Sequence, residues 1–408
     1  MIQLTPNSQN EKQEILLVED NKTTRILMSS LLKKRGYKVT VAEHGQEALD
    51  VLNESENIQF VLSDWVMPEM DGVELCKALK SNDYNRYIFF VLLSSQDDKD
   101  SIVCGIDAGA DDFVAKNTPI DELDARIRAG FRNLQLHNEL LMKNQALDTA
   151  YATMRQDLDY AGEFIRQLLP TKKVFEKVAM DYTSIPSAQI GGDILGYFEL
   201  DEDHLGFYLL DVSGHGVSSA LLSFSVQQTL SVVNGANSVV FKDTPNGREI
   251  RSADEVVTKL NEIYSQDDSN TLYFTMVYAV LNRKTGEMNY CVAGHPPIIW
   301  YQHESQSTQF LGDENFVVGM FDFADYKQDS ITLGPNDEIW LYTDGITEAR
   351  YEDDFYTEER LKLLIDNSRD LELEDKPDAV VSAVRKWQHN DEFDDDISML
   401  VCKWTPNQ

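Results

Sequence analysis

The sequence predicts an α/β protein with two folded domains joined by a long helix. Short apolar runs alternate with helical periods over residues 14–132, and a stretch rich in helix formers and free of proline follows. Residues 171–408 carry many strand-like runs with few helices between them. The first pattern is typical of a doubly wound parallel sheet, and the last is typical of a layered α/β sandwich.

Composition narrows the possible functions. The chain has 70 acidic and 36 basic residues and a net charge of −34, which disfavours binding to nucleic acids. No apolar run approaches the ~18 residues of a membrane span. Residues 1–13 are polar and lack an apolar stretch, so we expect a flexible N-terminus and no signal peptide. The four cysteines form no CxxC pair and none precedes an arginine by six positions, so we expect reduced thiols in a cytoplasmic protein.

The first domain, residues 14–132, begins with the apolar run 14–18 and a helix that carries Ile26, Leu27, Leu31 and Leu32 on one face. The remaining pattern predicts strands at 39–42, 60–62, 88–93 and 113–115 and helices at 46–52, 73–79 and 101–106. Ligands of such folds bind beyond the carboxyl ends of the strands.

Polar residues concentrate at those strand ends: Glu19, Asp20, Asp64, Ser94, Ser95 and Lys116. Carboxylates packed together repel one another unless a cation is shared, so a hard ion such as Mg²⁺ fits this edge. A carboxylate on that metal can attack a phosphoryl donor and form an acyl phosphate. One Asp at a strand end is usually a helix cap, but the joint occurrence of these residues favours a phosphorylation site.

Residues 14–132 resemble the response-regulator receiver family through LLVEDN, SDWVMPEMDG and GADDFVAK, which occur in order. The resemblance implies a flavodoxin-like fold with Asp64 as phosphoacceptor and a sensor histidine kinase as partner. It implies that Glu19, Asp20 and Asp64 hold Mg²⁺, and that Ser94, Phe113 and Lys116 form the switch and phosphate-binding set. Asn117 stands where the family usually has proline, so the Lys116 loop is a place where this chain departs from the family.

The linker, residues 133–170, predicts a helix continuous with the last helix of the first domain. Apolar residues keep strict 4-3 spacing along Leu147, Tyr151, Met154, Leu158, Ala161, Ile165 and Leu168. Such spacing favours a coiled coil and therefore a homodimer. The alternative is a single amphipathic helix lying against one of the domains.

The second domain, residues 171–408, predicts strands at 178–183, 197–200, 206–211, 272–281, 288–292, 298–301, 338–342 and 397–402. Helices are predicted at 218–233, 253–264, 357–365 and 377–387, and residues 235–252 are expected to form a mobile loop.

Acidic residues again lie at strand ends and in glycine-containing turns: Asp193, Asp211, Asp344 and the run Asp394–Asp396. Aspartates from separate strands can share two hard cations, and two such metals can activate a bridging water for attack at phosphorus. This chemistry requires no side-chain nucleophile.

Residues 164–404 resemble the metal-dependent type 2C serine/threonine phosphatases, in the bacterial sporulation and stress-response branch. The motifs are RQLLP, GGD, LLDVSGHGVSSALLS, FTMVYAVL, AGHPP, YTDGITEAR and DDDISMLV. The resemblance implies that two Mn²⁺ or Mg²⁺ ions are held by Asp193, Asp211, the carbonyl of Val212, Asp344 and Asp395. Asp394 or Asp396 is the alternative to Asp395.

Three further features stay open at this point. Gly196 replaces an aspartate that the family often has, and no phosphate-binding arginine is identified. His215 and His295 could each donate a proton to the leaving group or brace a turn.

Together the parts predict a response regulator whose receiver controls a protein phosphatase. The resemblance implies a phosphorylated anti-sigma factor antagonist as substrate. The alternative is a non-catalytic adaptor that binds a protein of the sigma pathway under control of phosphorylation, although four mutually repelling carboxylates would have no use there without metal.

Overall fold

The structure, a computed structural model, describes residues 13–81, 84, 86–94, 105–232, 238–245, 247–265, 272–312 and 315–406. The chain divides into two compact units, residues 1–151 and residues 152–408. Each unit is described separately below.

The first unit is a parallel sheet with helices between its strands. The strands are β1 (Glu14–Val18), β2 (Lys38–Ala42), β3 (Phe60–Asp64), β4 (Phe89–Ser94) and β5 (Asp112–Ala115). The helices are α1 (Lys22–Lys34), α2 (Gly45–Glu54), α3 (Gly72–Ser81) and the first part of α4 (Ile120–Arg166). The sheet order is β2-β1-β3-β4-β5 and every pairing is parallel, which confirms the predicted doubly wound fold.

Strand β4 shows why a strand of this sheet has a continuous apolar sequence. Phe90 and Leu92 pack on one face with Leu75 of α3, whereas Val91 packs on the other face with Ile127 of α4. Both faces are covered, so every position of the strand is buried. The predicted helix 101–106 falls mostly on residues 101–104, which lie outside the described residues.

Helix α4 is 47 residues long and crosses the boundary between the two units. Leu123, Ile127 and Leu134 are buried in the first unit. Residues 139–157 are all exposed. The predicted continuous helix is therefore confirmed.

The second unit is a sandwich of two mainly antiparallel sheets. Its strands are β6 (Val174–Phe175), β7 (Val178–Ile185), β8 (Ile194–Glu199), β9 (His204–Val212), β10 (Phe241–Thr244), β11 (Gly247–Ile250), β12 (Phe274–Asn282), β13 (Glu287–Ala293), β14 (Ile298–Gln302), β15 (Ser307–Leu311), β16 (Asp329–Thr332), β17 (Glu338–Tyr342), β18 (Arg350–Tyr351), β19 (Asp354–Phe355) and β20 (Ile397–Trp404). Its helices are α5 (Val217–Leu230), α6 (Ala253–Tyr264), α7 (Asp344–Thr347), α8 (Glu358–Asn367) and α9 (Lys376–Gln388).

The two large sheets have the orders β16-β13-β12-β9-β8 and β15-β14-β17-β20-β7-β6. In β12, Met276 and Tyr278 pack beneath α5 and α6, whereas Val277 and Ala279 face the second sheet. Helices α8 and α9 cover the outer face of the second sheet. This order of helices, sheet, sheet and helices confirms the predicted α/β sandwich, and it brings β9, β17 and β20 together at one edge.

The structure of residues 241–250 differs from the one predicted from the sequence. The sequence predicted a mobile loop over residues 235–252, but β10 and β11 form an antiparallel hairpin there, with Phe241 paired to Ile250. Lys242 also forms an ion pair with Glu255 of α6 at 2.8 Å. The polar composition of the segment reflects an exposed hairpin.

In the part of the chain that the structure describes, no helix combines the length and the apolar character that crossing a bilayer requires.

Candidate functional site

The first unit gathers its predicted polar residues at the carboxyl edge of the sheet. Glu19 follows β1, Asp64 ends β3, and Lys116 follows β5. The Nζ of Lys116 lies 2.5 Å from Oδ2 of Asp64 and 3.0 Å from Oε2 of Glu19. Ser94, which ends β4, is buried. The parallel topology therefore brings together residues from four separate segments.

The carboxylates of this edge are close enough to share a cation. Ligand oxygens of Glu19, Asp20 and Asp64 lie within 4.8 Å of one another. Burial raises the pKa of Glu19, the hydrogen bond from Lys116 opposes the rise, and the charge of Asp64 adds to it. A hard divalent cation would offset this repulsion, so the residues fit Mg²⁺.

The loop after β5 presents Lys116 although Asn117 follows it. The backbone N–H of Lys116 donates to the carbonyl of Ser94 at 2.7 Å, and Thr118 N–H donates to Ala115 at 3.0 Å. Described peptide bonds are all trans, including the bond before Asn117. Phe113 is half-buried, with its ring edge toward Trp65 at a centroid distance of 6.2 Å. Ser95 lies outside the described residues.

The second unit brings its predicted acidic residues to one edge of the sandwich. Asp211 lies near the end of β9, Asp344 begins α7 directly after β17, and Asp395 precedes β20. These three residues and Val212 line one cleft, of about 520 Å³. Asp193 precedes β8 and is buried beside Asp211. The cleft contains neither lysine nor arginine among the described residues that line it.

Mutual repulsion and burial disturb the pKa values of these aspartates. Burial raises the pKa of Asp211 to about 7, with the charge of Asp344 adding to the rise. Burial also raises the pKa of Asp193 well above its usual value, with Asp211 and Asp396 as the contributing charges. The pKa values of Asp344 and Asp395 are raised as well, again chiefly by burial. Such a cluster is stable in its ionised form only with cations, and its oxygens are the ligands that Mg²⁺ and Mn²⁺ prefer.

The three consecutive aspartates before β20 point to different places. Asp394 and Asp395 line the cleft. Asp396 instead directs its carboxylate to the backbone N–H groups of Ser187 and Gly192, at 2.8 and 2.6 Å. The charge of Asp395 contributes to the raised pKa values of both Asp211 and Asp344, so Asp395 lies close to both. Asp395 therefore stays the better candidate ligand.

Packing explains why position 196 is a glycine and not the aspartate that the phosphatase family often has. It pairs with Tyr208 across β8 and β9, and a Cβ at position 196 would lie 2.6 Å from the tyrosine ring. The ring occupies the space that a side chain at this position would need. The aspartate that the phosphatase family often has there is therefore excluded by packing.

The two histidines differ in surroundings. His215 lines the cleft and lies near Asp395. His295 is buried, and its Nδ1 lies 2.8 Å from Oγ1 of Thr275. Burial lowers the pKa of His295 to about 3, so its imidazole stays neutral and fits the role of bracing the turn.

Two residues of this site were not predicted from the sequence. Thr343 donates a hydrogen bond of 2.8 Å to Oδ2 of Asp193. Ser187 donates through both its N–H and its hydroxyl to Asp396. Nothing in the local sequence connects Ser187 to a residue 209 positions later, since only the packing of β7 against β20 brings them together.

Family models match both units. The model described as response regulator receiver domain matches residues 15–128, and the model described as Stage II sporulation protein E (SpoIIE) matches residues 201–405.

Two curated relatives come from Bacillus subtilis (strain 168). Phosphoserine phosphatase RsbP is 26% identical over 196 residues, which are 48% of this chain and 46% of RsbP. Phosphoserine phosphatase RsbU is 25% identical over 263 residues, which are 64% of this chain and 74% of RsbU. The chain thus spans about half the length of RsbP and three quarters of RsbU.

Among solved structures, the SiaA-PP2C domain of Pseudomonas aeruginosa aligns with a TM-score of 0.53 at 18% identity. The alignment covers 62% of this chain and 98% of that domain. At this identity the likeness concerns the fold, and it agrees with the α/β sandwich of the second unit.

Proposed function

This chain belongs to the Stage II sporulation protein E (SpoIIE) family, and we propose that it is a metal-dependent protein phosphatase under the control of a receiver domain. It would hydrolyse phosphoserine or phosphothreonine in a protein substrate. The observation that carries the proposal is the group formed by Asp211, Asp344 and Asp395 in one cleft and Asp193 beside them. All four have raised pKa values, and the described residues that line the cleft include neither lysine nor arginine.

In this proposal, Asp193, Asp211, Asp344, Asp395 and the carbonyl of Val212 hold two Mn²⁺ or Mg²⁺ ions. The ions would supply a water of lowered pKa and positive charge for the phosphoryl oxygens. The aspartates would hold the ions, and the cleft would admit a phosphorylated side chain of the substrate. His215, which lines the cleft, would donate a proton to the leaving oxygen.

The substrate class follows from the family resemblance. RsbP and RsbU are both named phosphoserine phosphatases. We infer a phosphorylated anti-sigma factor antagonist as the substrate, because the motifs of residues 164–404 belong to that branch of the phosphatases. The acidic surface, with a net charge of −34, disfavours nucleic acid as a partner, and we place the protein in the cytoplasm.

The receiver provides the input. A sensor histidine kinase would phosphorylate Asp64, which is 6% exposed and beside Lys116. Glu19, Asp20 and Asp64 would hold Mg²⁺, and Lys116 would offset charge on the phosphoryl group. Ser94 and Phe113 would carry the change outward, as in the receiver family.

The exposed part of α4 favours a homodimer. Leu147, Tyr151 and Met154 are each more than half exposed and recur at the spacing of a coiled-coil seam. An isolated helix of this kind is marginally stable in water, whereas a second copy of the chain would bury the apolar stripe. Sedimentation of wild type and of Tyr151→Lys tests this: a dimer that dissociates in the variant supports the proposal, and a monomer in both contradicts it.

The proposed activity is tested by hydrolysis of a serine-phosphorylated anti-sigma factor antagonist in the presence of Mn²⁺. The assay is run with and without beryllofluoride, which mimics phosphorylated Asp64. Turnover that requires Mn²⁺ and responds to beryllofluoride supports the proposal, and Asp64→Asn should abolish the response but not the basal turnover. No turnover in either state of a folded, metal-loaded protein would favour the adaptor function.

A further inference from the structure

Asp396 is a buried carboxylate next to the predicted metal centre that faces away from the cleft. Its Oδ1 accepts hydrogen bonds from the N–H and the hydroxyl of Ser187, at 2.8 and 2.9 Å. Its Oδ2 accepts from Gly192 N–H at 2.6 Å and, more weakly, from Asp193 N–H at 3.5 Å. All four donors belong to the segment 187–193, which carries Asp193.

This contact is close-packed as well as hydrogen-bonded. A Cβ at Gly191 would lie 2.5 Å from Oδ2 of Asp396, so the carboxylate rests directly on the glycine backbone. The segment can therefore wrap around the carboxylate only because position 191 has no side chain. Asp396 thus fixes the path of the backbone into Asp193.

The backbone of Asp396 contacts the two other segments that carry predicted ligands. Its N–H donates to Oδ1 of Asp395 at 2.8 Å. Its carbonyl oxygen packs against Gly345, where a Cβ would lie only 2.1 Å away. Gly345 directly follows Asp344. One residue therefore touches the segments of Asp193, Asp344 and Asp395.

Thr343 completes the connection from the side of Asp344. Its hydroxyl lies 2.8 Å from Oδ2 of Asp193 and 3.3 Å from the carbonyl oxygen of Asp396, and it accepts from Ser398 N–H at 3.0 Å. The Asp193 side chain is thus held by Thr343, while its backbone is held by Asp396.

We propose that Asp396 is a positioning residue that sets Asp193 at the correct distance from Asp344 and Asp395, without binding metal itself. The inference rests on the proposed metal-dependent phosphatase. Both carboxylate oxygens accept hydrogen bonds from the segment 187–193, and Asp396 is not among the described residues that line the cleft. A neutral amide at this position would place an N–H against another N–H and release the segment 187–193.

The test is Mn²⁺ binding to the full chain, measured from the electron paramagnetic resonance signal of free Mn²⁺. The parent chain and every variant carry Asp20→Asn, which removes one of the three predicted ligands of the receiver site. Asp396→Asn should weaken Mn²⁺ binding by about 10- to 100-fold, as is typical for groups that orient metal ligands. The turnover rate at saturating Mn²⁺ should fall by less than about tenfold. The main change should be a higher Mn²⁺ concentration for half-maximal rate. Asp391→Asn, an exposed neighbour with the same change in charge, is the control and should bind as the parent does.

Ser187→Ala provides a milder variant if Asp396→Asn does not fold. It removes one of the two donors to Oδ1 and should weaken Mn²⁺ binding by about two- to fivefold. Binding equal to the parent in both variants would overturn the inference. Loss of turnover that excess Mn²⁺ cannot restore, as expected for Asp395→Asn, would also overturn it, because Asp396 would then act as a ligand.

The same titration separates this inference from the proposed function. If Asp193→Asn and Asp395→Asn bind Mn²⁺ as the parent does, the metal centre itself is absent. If they lose Mn²⁺ while Asp396→Asn retains it, only the positioning role is wrong.

Discussion

The acidic site of the first unit contains its own cation, whereas the cleft of the second unit has no lysine or arginine among its described lining residues. In the first, Lys116 lies within 3.0 Å of both Glu19 and Asp64. In the second, burial and mutual repulsion raise the pKa values of four aspartates. A site with a built-in ammonium can exist with or without metal, but a cluster of carboxylates without lysine or arginine depends on metal for its fully ionised form.

This difference suits the two proposed roles. The receiver must accept and lose a phosphoryl group on Asp64, and Lys116 remains there in both states. The phosphatase must hold its metals through many turnovers, and closely packed carboxylates provide that affinity. Five predictions follow from the comparison, in order of decreasing effect.

The largest effect is expected from Asp211→Asn in the second site. Loss of this predicted ligand of the metal ions should reduce kcat/KM for a phosphoserine protein by about 1,000-fold. Activity assays with Mn²⁺ measure this, with Asp391→Asn as the control for a lost surface charge. Unchanged activity would break the comparison, since the cluster would then have no catalytic use.

The affinity of wild type for Mn²⁺ should depend on pH because of the raised pKa of Asp211. Because the pKa of Asp211 is raised to about 7, protons compete with Mn²⁺ below that pH. The apparent Kd of wild type should rise about tenfold per pH unit as the pH falls below 7. Titrations between about pH 5.5 and 8 measure the slope. A flat profile in wild type would show that Asp211 is already ionised in the metal-free protein.

The sign of the same shift fixes the stability of the metal-free protein. A carboxyl whose folded pKa is raised contributes stability that is present below its unfolded pKa of about 4 and is lost as the pH rises through 7. Without metal, wild type should therefore be less stable than Asp211→Asn at pH 7.5, and Mn²⁺ should reverse that order.

Lys116→Met tests the first site. Removal of the ammonium should tighten Mg²⁺ binding at Glu19, Asp20 and Asp64 by about tenfold, because a competing cation is lost. Isothermal titration in a chain carrying Asp211→Asn measures the receiver alone. Weaker Mg²⁺ binding would contradict the account, since it would mean that Lys116 organises the carboxylates instead of competing for them.

The smallest effect is expected from Thr343→Val. It removes the hydroxyl that donates to Asp193 and accepts from Ser398 N–H, while keeping the shape of the side chain, so Mn²⁺ binding should weaken by about fivefold. Thr332→Val, at an exposed position of β16, is the matched control. An effect as large as that of Asp211→Asn would show that Thr343 does more than orient Asp193.

Much of this architecture could be predicted because its signals are local. Apolar runs such as residues 14–18 and 88–93, each followed by polar residues, mark buried parallel strands and their ligand-binding ends. Motifs also identified the aspartates of the cleft. Their roles as ligands stay predictions.

Other features depend on contacts between distant segments. The hairpin 241–250 has a polar composition that equally fits a loop, and its pairing is visible only in three dimensions. The triplet Asp394–Asp396 could not be resolved by register alone, because the side chain of Asp396 is turned by donors about 200 residues earlier in the chain. Gly196 became interpretable only when Tyr208 was seen to fill its space.

We propose that the cleft of the second unit is a metal centre, and anomalous X-ray diffraction at the manganese edge, on crystals grown with Mn²⁺, would detect the ions themselves. We expect two anomalous peaks among Asp193, Asp211, Asp344 and Asp395, with Asp396 still bonded to Ser187 and Gly192. A peak at Glu19, Asp20 and Asp64 with none in the cleft of the second unit would contradict it.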